Sequence, residues 1–366
     1  MAERPPPRPE DISVVVQGPV TGRPDAPHEE RHTLRALESV RRHLPGAEIV
    51  LSTWAGSDVS GLPFDRLVES DDPGTFRCDA DSRPGFQAFY NANRQIVSSR
   101  NGLRQAARPY AMKLRSDMVL SGTGFLRFFG RYPVRAAEWR VLEERVVTAD
   151  WFSRSVRRRV AYPFHPSDWF HFGLRGDVLR LWDIPLADEE MVRWYDHHPR
   201  PEGDADWWLT HRYTVEQHNW LAFLRGYGPV PFAHKTDAGP EARRLSELTI
   251  ANNLVVAEVQ ALNIEFLKYP MQLAHWAALY THGEWQRLYR DCCDPAFRPA
   301  PDARLAWKRG YDRWLAGAHL ALLSPRSSPA LRALSAGAES RFPGAFRAAK
   351  RAYVSGLAAL GRRPGS

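Results

Sequence analysis

ISVVVQGPV, residues 12–20, decides the fold. Ile12 to Val16 is an apolar, largely β-branched run, and Gln17-Gly18-Pro19 ends it, so the stretch reads as a buried strand feeding a turn. Arg31 to Leu44 then carries Leu34, Leu37, Val40 and Leu44 close to one helical face, and Pro45-Gly46 stops it. Glu48 to Ser52 is a second strand. Strand, helix and strand within about 40 residues is the size of a βαβ unit, whose crossover is right-handed and whose strands are parallel.

Outward from that unit the pattern repeats once more. Asn91 to Ala107, with Ile96, Leu103 and Ala107 on one side, reads as a helix closed by Pro109, and it leads to the strand Tyr110 to Leu114 and the loop Arg115-Ser116-Asp117. Ligands of open α/β sheets bind beyond the carboxyl ends of the strands, which is where this loop and Gln17-Gly18-Pro19 should meet. After about residue 120 the alternation weakens. Strands are expected around Arg145 to Thr148 and Trp169 to Gly173, a strand-like segment at Val230 to Phe232, and a helix over Asp206 to Arg225 bearing Trp207, Trp208, Tyr213 and Trp220. No internal repeat is present, and from about residue 300 the chain becomes rich in Ala, Arg, Ser and Pro.

The 366 residues are 43% hydrophobic and 25% charged, which excludes disorder, collagen and coiled coil as whole-chain answers. Basic residues outnumber acidic ones 50 to 42, a small excess for the length that does not by itself call for nucleic acid as a partner. Cys78, Cys292 and Cys293 make neither a CxxC motif nor a paired framework, which points to a reducing compartment. MAERPPPRPEDIS at the start lacks the order of a signal peptide, and no run approaches the roughly 18 apolar residues of a membrane span, so a cytoplasmic protein is expected. Residues 1–10 read as a disordered leader, 11–284 as one domain with halves 11–120 and 121–284, and 285–366 as a basic helical extension. Signatures of P-loops, dinucleotide folds, zinc proteases and α/β-hydrolases are missing.

Three groups of residues could carry chemistry. In KLRSDM (113–118), Asp117 could bind a divalent cation while Lys113 or Arg115 meets a diphosphate, or it could simply cap the next helix. In HPSDWFHFG (165–173), His165, Asp168 and His171 stand among Trp169, Phe170 and Phe172; the rings offer faces for a sugar, and Asp168 could accept a hydroxyl proton. Strand alternation would put Asp168, Phe170 and Phe172 on one face, Trp169 and His171 on the other. The alternative is a strand end buried by its aromatics. Glu216 is an acid within an aromatic helix, Asp204 and Asp206 are cap candidates, and His234 could complete a metal site with Asp117 or bind phosphate beside Lys235.

SVVVQGPV (13–20), LPGAEIVLSTWAGSDVSGL (44–62), NRQIVSSRNGL (93–103), YAMKLRSDMVL (110–120) and HPSDWFHFG (165–173) together resemble the WavE lipopolysaccharide synthesis family from about Ile12 to His282. The resemblance implies a GT-A-like, Rossmann-type mixed sheet flanked by helices, with a helical C-terminal extension. It further implies a glycosyltransferase that moves a sugar from a nucleotide-sugar donor to a lipopolysaccharide-type or other cell-surface glycan, or to a lipid-linked acceptor. Asp117 would stand where such enzymes place a DXD motif, here Arg115-Ser116-Asp117, so that Arg115 takes the place of the first acid and Mg²⁺ or Mn²⁺ becomes an open question. No organic cofactor is expected.

On this basis Asp168 is the expected general base, with Glu216 competing and Asp117 beside the leaving group. Gln17, Gly18, Pro19, Asn93, Arg94, Lys113, Arg115 and Asp117 would bind the donor; His165, Trp169, Phe170 and His171 would bind the acceptor; Asp117 and His234 would hold any metal. The segment from Arg332 to Leu360 could touch the inner face of an anionic membrane. The competing class is a non-catalytic nucleotide- or glycan-binding protein on the same fold.

Overall fold

A computed structural model of the chain describes residues 6–80, 87–158, 161–201, 208–268 and 278–303, with scattered positions between 305 and 344. Its strands are β1 (Ile12–Gln17), β2 (Glu48–Trp54), β3 (Arg66–Ser70), β4 (Phe76–Arg77), β5 (Phe89–Tyr90), β6 (Tyr110–Arg115), β7 (Met118–Leu120), β8 (Val146–Ala149), β9 (Phe170–Leu174), β10 (Leu254–Ala257) and β11 (Ile264–Phe266). The helices are α1 (His32–His43), α2 (Ala92–Gln105), α3 (Arg175–Trp182), α4 (Glu189–Val192), α5 (Trp194–His197), α6 (Val215–Arg225), α7 (Pro240–Asn253), α8 (Val259–Leu262) and α9 (His282–Cys292).

Seven strands form one sheet in the order β10-β8-β9-β6-β1-β2-β3. Pairings β1–β2, β1–β6, β2–β3 and β8–β10 are parallel, while β9 runs antiparallel to both β6 and β8. The expected βαβ unit is therefore present, and the whole is a mixed α/β fold consistent with the GT-A-like Rossmann type.

All six residues of β1 are buried, as a strand covered on both faces requires. The chain moves outward from β1 through α1 to β2, then back through α2 to β6, and right-handed crossovers in opposite directions put the two helices on opposite faces. α1 packs against β7, while α2 lies on β1 and β2 and meets α3 and α6. The seat of α2 is tight at Gly102, where a Cβ would stand 2.4 Å from Val15 Cγ1 and 2.8 Å from Ser52 Cβ.

Several expectations shift. α6 begins at Val215, not Asp206, because Thr214 forms a capping box: its hydroxyl accepts from the Gln217 amide at 3.3 Å and Gln217 Oε1 accepts from the Thr214 amide at 3.1 Å. Tyr213 thus precedes the helix, Trp208 lies in a turn, and Asp204, Asp206 and Trp207 lie outside the described residues. Val230 to Phe232 is no strand, since the Phe232 carbonyl accepts from the Tyr213 hydroxyl at 2.7 Å and the next carbonyl, of Ala233, from Arg212 Nε at 2.6 Å.

At the start of the chain, Pro9–Asp11 forms a 3₁₀ turn running directly into β1, so the leader is ordered at its end. The boundary expected at 284/285 falls inside α9, whose Trp285, Leu288 and Tyr289 are buried. Beyond it, buried Lys308 donates to the carbonyls of Leu279 at 3.1 Å and Tyr280 at 3.4 Å. The segment Arg332 to Leu360 lies almost wholly outside the described residues. Among the described residues no helix is long and apolar enough to cross a membrane.

The close approach at Gly102 gives a stability test. Gly102→Ala is expected to cost about 1–3 kcal/mol through overpacking, against the usual gain of Gly to Ala in a helix. Urea denaturation reads it as a lower midpoint at unchanged slope.

Candidate functional site

Parallel strands β1 and β6 end side by side, and their turns interlock. The Ser116 amide donates to the Gln17 carbonyl at 2.9 Å and the Ser116 hydroxyl to the Pro19 carbonyl at 2.7 Å. Gly18 sits between them at φ +119°, with Ser116 Oγ only 3.1 Å from where a Cβ would stand, so this turn needs glycine. Gln17 Oε1 accepts from Ser98 Oγ of α2 at 2.6 Å. The antiparallel strand β9 begins at the same edge where the parallel strands finish, and this delivers the loop His165–Trp169 to them.

Arg115 grips Asp117 with two hydrogen bonds of 2.9 Å. The guanidinium lies 4.9 Å from the ring centre of Trp169 and 5.3 Å from that of Phe266. Trp151 and Phe152 complete the aromatic wall at 5.6 and 4.8 Å from Trp169. Lys113 is fully buried, donates to the Asp168 carbonyl and lies 4.4 Å from the Trp182 ring centre. Burial lowers its pKa to about 7.

Between β9, α3 and α6 lies a cavity of about 20 Å³, room for roughly one water, lined by Asp168, His171, Trp182, Glu216, Asn219 and Trp220 among others. Both carboxylate oxygens of Asp168, both polar atoms of the Asn219 amide and Trp220 Nε1 are buried there without a hydrogen-bond partner. Gln95 stands near Asp168 without completing a bond. Orphaned buried polar atoms are costly and rare, and several around one void mark a place built to receive a polar group.

Burial raises the Asp168 pKa above the ordinary carboxylate range, opposed by the charges of Lys113 and Arg115. Burial, and then repulsion from Asp168, pushes Glu216 up to about 8. Its Oε2 lies 3.5 Å from His165 Nε2, while His165 Nδ1 is 2.8 Å from the Phe152 carbonyl. Burial holds His165 neutral, so Nδ1 donates to that carbonyl and Nε2 faces the protonated Glu216 as an acceptor.

The sequence-derived candidates separate accordingly. Gln17, Gly18, Pro19, Lys113, Arg115, Asp117, His165, Asp168, Trp169 and Glu216 gather at this edge. Asp168 precedes β9, so strand alternation does not reach it; it lines the cavity on the His171 side, away from Phe170. Phe170 is a core residue packed 5.9 Å from Phe125. His171 uses both ring nitrogens internally, with Trp182 Nε1 donating to Nδ1 at 3.0 Å and Nε2 donating to the Ser167 carbonyl at 3.1 Å. The Asn93 amide is spent on the Ala187 backbone at 2.9 and 2.7 Å. Arg94 pairs with Asp72 at the exposed rim.

His234 Nδ1 lies 3.3 Å from the Thr236 hydroxyl. Among the described residues no group of three or more His, Cys, Asp or Glu could hold a metal. Asp117 is a single acid whose two oxygens are already taken by Arg115, so these residues do not fit a divalent ion. Gln95, Ser98, Asn219, Trp151, Phe152 and Phe266 went unread in the sequence, and Trp220 was read only as a ring on the expected helix. Only Glu216, Asn219 and Trp220 carried a signal, the i, i+3, i+4 spacing of one helical face.

Residues 12–315, most of the chain, match the family model described as WavE lipopolysaccharide synthesis. The chain belongs to that family. No curated protein matches it.

The buried acid pair sets a pH signature. Because the folded-state pKa of Glu216 is raised above its ordinary 4.5 to about 8, the stability tied to its proton is intact below about pH 4.5 and lost as pH climbs toward 8. Glu216→Gln removes that loss. Its Tm should equal that of the wild type at pH 4.5 and exceed it by roughly 2–4 °C at pH 8. Calorimetric melts across this range check it; a uniform deficit at all pH values would contradict the assignment.

Proposed function

We propose, with that membership as premise, that the protein is a glycosyltransferase taking a sugar from a nucleotide-sugar donor to a lipopolysaccharide-type or other cell-surface glycan. The observation that supports this most is the unpartnered Asp168 carboxylate, held beside Glu216, Lys113 and Arg115 at the carboxyl edge of the sheet. In this reading the nucleotide lies across Gln17, Gly18 and Pro19, with its diphosphate toward Arg115.

The acceptor hydroxyl oxygen attacks the anomeric carbon of the donor sugar. The bond from that carbon to the diphosphate oxygen breaks, and its electron pair leaves with the nucleoside diphosphate. Asp168 takes the hydroxyl proton, because Lys113 and Arg115 favour its charged form while Glu216 keeps its own proton at neutral pH. Arg115 neutralises the leaving group, turning from Asp117 to the phosphates, a charge that GT-A enzymes otherwise draw from a metal. Trp169 and its aromatic neighbours face the acceptor ring. A lipid-linked acceptor would bring the enzyme to the inner face of the plasma membrane.

The smallness of the cavity favours a second reading, a protein that binds nucleotide or glycan without turnover. Calorimetric titration with UDP, GDP, CMP and dTDP, each with and without Mn²⁺, should find one nucleotide bound selectively and more weakly by Arg115→Gln. Transfer or donor hydrolysis should fall about 10²-fold or more in Asp168→Asn. Nucleotide binding with no turnover in any condition would favour the second reading, and near-normal turnover in both Asp168→Asn and Glu216→Gln would remove the acid–base assignment.

A further inference from the structure

On the far side of α6 from the Asp168 cavity lies a larger, open groove of about 750 Å³, bounded by α6, the end of α3 and the segment leading to α4. Its volume is in the range that accommodates a small-molecule ligand and suits two or three sugar rings. We propose that this groove binds an anionic saccharide, a sugar bearing phosphate or carboxylate.

The charge arrangement carries the argument. The Arg212 guanidinium lies 4.1 Å from the ring centre of Trp194 and 5.1 Å from that of Tyr213, and the Arg225 guanidinium lies 5.3 Å from the Tyr213 centre. Tyr213 is itself fixed, stacked 5.5 Å from Phe232 and donating its hydroxyl to the Phe232 carbonyl. Arg225 Nη2 reaches only the neutral Tyr213 oxygen at 3.2 Å, and Arg212 Nε only the Ala233 carbonyl. Among the described residues neither has a carboxylate partner. The other charges lining the groove are already engaged: Arg180 with Asp177, Asp183 with Arg104 at 2.8 Å, and Asp188 as the N-cap of α4, accepting from the Met191 amide at 2.8 Å. Two guanidiniums without an acid, both gathered about Tyr213 at the groove, suit a phosphate or carboxylate.

The rest of the groove suits a sugar. Tyr227, 48% exposed, offers the groove a flat ring, and Leu186, 42% exposed, an apolar contact. His218 Nε2 is buried without a partner and belongs to the same lining, available to a sugar hydroxyl. The groove and the Asp168 cavity are neighbours through α6, where Trp220 of the cavity lies 5.3 Å from Phe223 of the groove. Binding here stands independently of the transferase reading; only its role as the seat of an acceptor chain rests on that reading.

The test is calorimetry on the full chain with glucose 6-phosphate, digalacturonic acid, maltose and inorganic phosphate. The anionic sugars should bind at least 10-fold more tightly than maltose or phosphate alone. Arg212→Gln/Arg225→Gln should weaken them at least 10-fold, and Arg94→Gln, an exposed arginine outside the groove lining, should change nothing. Tyr227→Ala, at an exposed position that leaves the fold intact, should weaken all sugars and leave phosphate alone. Equal binding of maltose, equal binding of phosphate, or no loss in the arginine and Tyr227 variants would each overturn the proposal. Loss of anionic-sugar binding in Asp168→Asn would also overturn it, by moving the ligand to the other cavity. A protein that binds these sugars but no nucleotide would sink the transferase reading and leave this one standing.

Discussion

A buried ammonium fixes the centre of this molecule. Lys113 lies in the middle of β6 with no exposure, and its charge is met by the carbonyl of Asp168 and the face of Trp182. An unpaired ammonium in such a place would cost several kcal/mol, so the chain before β9 must come to it. That requirement helps set the register in which Lys113 stands opposite His171, and the antiparallel run of β9 follows. An antiparallel strand starts where its parallel neighbours stop. The acid-bearing loop therefore arrives at the same edge as Gln17 and Arg115, and the candidate site is a by-product of how one lysine is satisfied.

The same burial tunes the charges. Lys113 is brought down to about 7 and Glu216 up to about 8, so a cation and an acid that both feel the charge of Asp168 change state close to neutrality. Groups so placed can exchange protons with a bound molecule at little cost, which is the property acid–base chemistry draws on. His165 and His171 are held neutral by the same lack of water, and both spend their nitrogens inside the protein. They orient their neighbours and leave the titration to the carboxylates.

Strands β1, β2 and β6 and helices α1 and α2 were legible because each was locally complete: a β-branched run, a helical stripe, a Pro-Gly stop. The loop Arg115-Ser116-Asp117 and its meeting with Gln17-Gly18-Pro19 followed from topology alone. What the sequence hid was set by contacts distant in the chain. Phe170 and His171 look alike as aromatic neighbours of Asp168, yet one packs on Phe125 and the other is saturated by Trp182 and Ser167, which only the assembled sheet decides. Asn93 was readable as a polar residue at a helix start, but its partner is Ala187, 94 positions away. The start of α6 was obscured because the run of tryptophans suggested a helix that the Thr214 cap truncates. Phe266 reaches Trp169 from a strand nearly a hundred residues on, with no local mark of doing so.

The order of strands across the sheet also dictates an order of assembly on the ribosome. β1, β2, β3 and β6 come from the first 115 residues and are mutual neighbours, so this half can pair as it emerges. β8 emerges next but neighbours only β9 and β10, and β10 is made about a hundred residues later. Until then the nascent chain carries an open strand edge, the kind of surface that templates association with another chain. Closure waits further still, for Lys308 to reach back to the carbonyls of Leu279 and Tyr280 beside buried Asp150. A translation product ending between β9 and β10 would therefore be complete at β1, β2, β3 and β6 and still unprotected at its far edge.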